Sequence, residues 1–184
     1  MSNMLDSTTS QAAELFRVHA ETIVHASPAE VYALVSDLPN SGRWSPECQG
    51  GTWAEGEPAT VGAVFQGQNL RGEDIVAWAP VARGTWTTYS EVVAAEPGRT
   101  FQWAMRDSRG KAQESVWGFD VEAAPEGCRL VHHFRMGRAT EGIREIVSAM
   151  DQEAKDRFFA EWSAKIQRDL DVTVHRIKAT AESR

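Results

Sequence analysis

Residues 27–53 read SPAEVYALVSDLPNSGRWSPECQGGTW. Ser27 has the chemistry of a helix N-cap, and Pro28 follows at the first helical position, where a missing N–H costs nothing. Val31, Leu34, Val35 and Leu38 recur at helical spacing, and Pro39 stops the helix. PNSGRWSP then reads as a turn or a second short helix carrying Trp44. So short an element must find its partner elsewhere in the chain, and the flanking sequence supplies one.

Upstream, RVHAETIVH (17–25) alternates loosely and is β-branched, so it reads as a strand. Downstream, strand signals come at regular intervals: GGTWAEG (50–56), VGAVFQGQN (61–69), GTWTTYSEVVAAE (84–96), RTFQWAMR (99–106), QESVWGFDVEA (113–123) and CRLVHHFRMG (128–137). The connections EPG, DSRG and APEG are tight turns, so the last four strands form an antiparallel meander. The segment LRGEDIVAWAPVAR (70–83) is a long connection, and its Trp78 and Pro80 suggest a loop that packs over the mouth of a pocket.

The period of two assigns the faces. Phe101, Trp103 and Met105 point one way. Ser115, Trp117, Phe119 and Val121 join them, as do Leu130, His132, Phe134 and Met136. Trp86, Thr88, Ser90 and Val92 share a phase, with Tyr89 and Glu91 outward; Tyr89 enters only if that phase is reversed. The opposite face carries Glu114, Asp120, Glu122, Arg129, His133 and Arg135. A sheet with one wet face needs apolar cover on the other.

The C-terminal segment provides it. No proline interrupts 140–178, and Ile146, Met150, Ala154, Phe158, Trp162, Ile166, Leu170 and Val174 recur in steps of four. Each step overshoots a full turn by ~40°, so one straight helix cannot lay the whole stripe on a sheet. A break near Met150–Asp151 is expected, with the main helix over 152–177.

The chain has 184 residues, enough for one domain with a substantial core, expected over 16–178 between polar tails at 1–15 and 179–184. Its net charge of −7 and the lack of basic clusters argue against a nucleic-acid surface. No apolar run approaches the ~20 residues of a membrane span, and MSNMLDSTTSQ has no secretory character. Two cysteines, Cys48 and Cys128, make no disulfide framework. These features fit a cytoplasmic protein.

The strand, the ASPAEVYALVSDL helix with RWSPE, then VGAVFQGQN, WTTYSEVVAAEPGRTFQW, the W-G-F strand and the long final helix resemble the START-like (SRPBCC) superfamily, in its polyketide cyclase/dehydrase-like branch. The resemblance spans residues 17–175. It implies an α+β helix-grip (Bet v 1/START-like) fold: a curved antiparallel sheet wrapped around the C-terminal helix, with a cavity between them. It also implies an apolar or aromatic guest, lipid- or polyketide-like, and no metal or organic cofactor. The superfamily has no shared catalytic motif to carry over. In such a fold Pro39–Pro46 would lay Trp44 at the pocket rim.

The candidate lining residues are Trp44, Phe65, Asn69, Trp86, Thr88, Trp103, Ser115, Trp117, His132, Phe134, Phe158 and Trp162. The aromatics either fill a core or line an apolar pocket. The polar members, Ser90 among them, either bond one another or orient a guest. His132 is the one catalytic candidate, as a donor or proton shuttle, against a plain buried role. Its neighbour His133 points to the other face, so the pair cannot chelate a metal. Arg71, Glu73 and Asp74 are placed in the long connection, with Arg71 able to reach a guest's carboxylate or phenolate. Three functions stay open: a binding protein for an apolar or aromatic small molecule, a cofactor-independent cyclase or dehydratase, and a protein-interaction module without a sizeable cavity.

Overall fold

The computed structural model describes residues 14–183. The opening stretch folds as its caps dictate. In α1 (Pro28–Ser36) the Ser27 hydroxyl accepts the Glu30 N–H at 3.3 Å, and the Glu30 carboxylate accepts the Ser27 N–H at 2.9 Å. This reciprocal pair satisfies two otherwise orphaned donors. A 3₁₀ turn, Leu38–Arg43, follows, and Trp44 closes it by donating its backbone N–H to Ser41 at 3.0 Å.

Seven strands make one sheet: β1 (Phe16–Val24), β2 (Cys48–Glu55), β3 (Val64–Arg71), β4 (Gly84–Glu96), β5 (Thr100–Arg106), β6 (Ala112–Ala124) and β7 (Gly127–Met136). All neighbours are antiparallel, in the order β1-β7-β6-β5-β4-β3-β2. The expected meander is thus longer than four strands, and β1 pairs beside the last strand. Bulges at Val92/Ala94 and Ala104/Arg106 bend the centre of the sheet. The alternation holds: β7 buries Cys128, Leu130, His132, Phe134 and Met136, and Tyr89 of β4 faces out. The other face carries ion pairs, among them Arg129 with Glu21 and with Glu122.

The break at Met150–Asp151 is present. It separates α2 (Glu141–Val147) from α3 (Gln152–Glu182), and the Asp151 carboxylate caps α3 by accepting the Ala154 N–H at 2.9 Å. α3 buries Phe158, Trp162, Ile166, Leu170, Val174 and Ile177, each burial contributing roughly 1.5–3 kcal/mol. It runs past the end expected near 177, so 179–182 is helix rather than tail. Two bonds hold that last turn: Lys178 Nζ to the Ile23 carbonyl at 2.6 Å, and the His25 N–H to Glu182 at 2.8 Å. The expected N-terminal tail lies outside the described residues except for Glu14 and Leu15.

α3 packs chiefly against β1 and also against β7 and α1. It therefore rests on one margin of the curved sheet. The inner faces of β3–β6 are left to enclose a space.

Candidate functional site

That space is a cavity of about 430 Å³, walled by the inner faces of β3–β7, by α3, by α2 and by the segment from Leu38 to Cys48. Glu141 and Gly142 of α2, together with Ala82, are its exposed members and mark where it meets solvent. α2 is pinned there to the β5–β6 hairpin: Glu141 accepts from the Ser108 N–H at 2.9 Å and from its hydroxyl at 2.7 Å.

Every candidate lining residue is on this wall except Phe158. Phe158 is fully buried between Trp162, stacked at 5.7 Å, and Trp78, edge-on at 6.3 Å. It is core packing on the side of α3 that the 72–83 loop covers. Trp44 stands inside the wall rather than at its rim: it is 3% exposed and meets Phe119 edge-on at 5.4 Å. Its indole nitrogen is buried with no hydrogen-bond partner among the described residues.

The 72–83 loop does not cap the mouth, and only Ala82 of it reaches the cavity. It folds around Arg83, whose guanidinium donates to the carbonyls of Glu73, Val76, Ala79 and Val81 at 2.8–3.2 Å. The Trp78 indole donates to Glu161 of α3 at 2.7 Å.

Arg71 corrects a second reading. It is the last residue of β3, not part of the loop, and it lines the cavity. Its guanidinium lies 4.1 Å above the Trp86 ring and 4.9 Å from the Trp162 ring. Nε and an NH₂ group donate to the two oxygens of Glu47 at 2.8 and 3.0 Å. Glu47 also takes Lys165, which pairs in turn with Asp169 one helical turn on. All four groups lie on the cavity wall, with Lys165 only 5% exposed as a residue. Burial acts to raise the Glu47 pKa, but Arg71 and Lys165 outweigh it and hold the carboxyl below its usual range. Burial raises the pKa of Asp169 despite Lys165, and the Glu47 charge adds to that rise.

The remaining polar atoms of the wall are only partly bonded within the protein. Asn69 donates its amide nitrogen to Thr88 Oγ1 at 3.0 Å and to two strand carbonyls. Ser90 and Ser115 are 4% and 3% exposed. Only the Trp44 nitrogen is both sealed and unpartnered among the described residues. The unbonded hydroxyls of Ser90 and Ser115 and the unbonded Asn69 oxygen therefore open on the cavity that those residues line. His132 is bonded through Nδ1 to the Gly118 carbonyl at 2.8 Å and stacked on Phe119 at 4.0 Å. Burial, with His133 nearby and against the Gly118 bond, pushes its pKa down to about 3. A ring kept neutral by burial is a weaker base than a free imidazole, which bears on the proton-shuttle role foreseen for it. His133 faces Asp120 on the outer surface at 3.2 Å. Both cysteines are free thiols.

A curved antiparallel sheet gripping a long helix over a cavity of this size defines the helix-grip fold. Residues 16–182 match the family described as polyketide cyclase / dehydrase and lipid transport, and the chain belongs to it. A comparison with curated proteins found no match. Among solved structures, a polyketide cyclase-like protein from Corynebacterium glutamicum is 29% identical over 92% of each chain, with a TM-score of 0.60. The Zhui aromatase/cyclase from Streptomyces is 15% identical over 92% of this chain and 94% of that one, with a TM-score of 0.63. One half of the di-domain aromatase/cyclase StfQ of the steffimycin pathway is similar too: 12% identity, 91% of this chain against 51% of that one, TM-score 0.66. The last two are likenesses of fold. Among the described residues no helix is long and apolar enough to cross a membrane.

Proposed function

We propose that this protein binds a flat apolar or aromatic small molecule, carrying a few oxygen groups, between its sheet and α3. One observation carries the reading: Trp44, Trp86, Trp103, Trp117 and Trp162 surround a cavity of about 430 Å³ whose wall also carries the unbonded hydroxyls of Ser90 and Ser115 and the unbonded Asn69 oxygen. Mostly aromatic walls with a few convergent polar groups suit such a guest. A space of that size favours a guest over an interaction module.

A cyclase or dehydratase activity in the same cavity is the second reading. It is supported by the family description and by Asp169, a wall carboxyl with a raised pKa beside Lys165, as an acid–base group needs.

Titration with β-naphthol, followed by tryptophan fluorescence, tests the binding reading. Saturable quenching is expected in the wild type. Ser115→Trp, which puts a large ring into the cavity, weakens it at least about tenfold. Quenching that does not saturate, or that Ser115→Trp leaves unchanged, contradicts the reading.

A further inference from the structure

The hydrogen bonding of His132 is complete on one side and open on the other. The Gly118 carbonyl can only accept, so Nδ1, 2.8 Å away, carries the ring proton. The neutral ring then has its lone pair at Nε2. That atom has no partner among the described residues and is not among the sealed ones, so it opens on the cavity. Phe119 covers a face of the ring at 4.0 Å and 12°. The Trp103 and Trp117 rings lie 6.4 and 6.1 Å away, tilted by 28° and 33°. An acceptor is thus held rigidly among roughly parallel aromatic planes.

We propose that His132 is the specificity residue of the cavity: its Nε2 accepts a hydrogen bond from a phenolic or enolic hydroxyl on a flat aromatic guest, and so selects hydroxyl-bearing guests over ethers of the same ring system. This rests on the binding reading above. A hydroxyl placed here replaces the bond to water it loses on entering. An ether oxygen faces Nε2 lone pair to lone pair and leaves a buried acceptor unpaired. Sites built to bond a hydroxyl reject the analogue lacking it for this reason. The ring stays an acceptor because burial opposes its taking a second proton.

The test compares β-naphthol with its methyl ether, titrated against the wild type, His132→Asn and His132→Gln. The Asn amide can still donate to the Gly118 carbonyl but has no atom at the Nε2 position. Gln reaches further and returns an acceptor oxygen. The wild type is expected to prefer the naphthol by about tenfold. In His132→Asn the two compounds bind within about twofold of each other, and His132→Gln recovers part of the preference. Should His132→Asn fail to fold, His132→Phe, which preserves the stack on Phe119, serves as the acceptor-free variant. Equal wild-type affinities, or a preference that survives in the acceptor-free variant, overturn the role of His132 and leave the binding reading intact. If neither compound binds the wild type, the binding reading falls and this inference with it.

Discussion

Glu47→Ala is expected to lower the stability of the fold by about 3–5 kcal/mol, the usual loss when a buried ion pair is left with one partner. Glu47 is the only carboxylate paired with Arg71 among the described residues, and it shares Lys165 with Asp169. The Arg71 side chain is 11% exposed and that of Lys165 7%, so water replaces the lost carboxylate only in part. Without it, Arg71 keeps a 3.4 Å contact with the Ala82 carbonyl and its rings, which do not neutralise it. For a chain of this length the loss corresponds to a fall in Tm of roughly 10 °C, read by thermal denaturation. Glu47→Gln keeps an acceptor in place and should lose less. A loss under about 1 kcal/mol for Glu47→Ala, as at exposed pairs, contradicts the description of the cluster as buried.

Acid sensitivity is the second large effect, and it belongs to His132. Its folded-state pKa of about 3 lies below the 6.5 of an unfolded histidine. Below pH 6.5 the unfolded chain takes up a proton that the folded ring refuses, so stability falls as pH falls. By pH 5 the loss from this residue is about 2 kcal/mol, and it continues toward pH 3. Glu47, with its lowered pKa, stabilises the fold above the ordinary carboxylate range and loses that contribution only as pH falls through its folded value. Asp169, with a raised pKa, acts oppositely and gains stability as pH falls. The decline between pH 6.5 and 5 should therefore flatten in His132→Asn. Denaturant melts of both proteins at those two pH values check this. Equal slopes would show that the ring takes up its proton as readily folded as unfolded.

The sheet was legible because one of its faces is dry. From β5 to β7 the residues that alternation assigned to the dry face do face inward, and the turns marked the boundaries; Arg106 and Gln113, beside the bulge at Ala104/Arg106, reach the cavity without that signal. The helix break was legible because a stripe in steps of four outruns a straight helix and Asp151 offers a cap. Phe158 misled because the stripe records burial without saying what does the burying; its cover is Trp78, 80 positions earlier, on a loop with no periodic signal. Arg71 misled because Gly72 and the acids after it blurred the end of β3. The charged cluster was out of reach: Glu47 lies 118 positions from Lys165, and no spacing rule links a loop carboxylate to a helical ammonium. The one local sign was that Lys165 and Asp169 sit beside Ile166 and Leu170 on the buried side of α3.

The indole N–H resonances of the seven tryptophans give the most direct measurement, because each reports one place in the molecule. Trp44, Trp86, Trp103, Trp117 and Trp162 line the cavity, whereas Trp53 and Trp78 do not. Adding β-naphthol to nitrogen-15-labelled protein should move resonances of the lining set together, with one affinity, and leave Trp53 and Trp78 in place. Shifts confined to Trp53 and Trp78, or no saturable shift at all, would mean that the space between sheet and helix takes no aromatic guest.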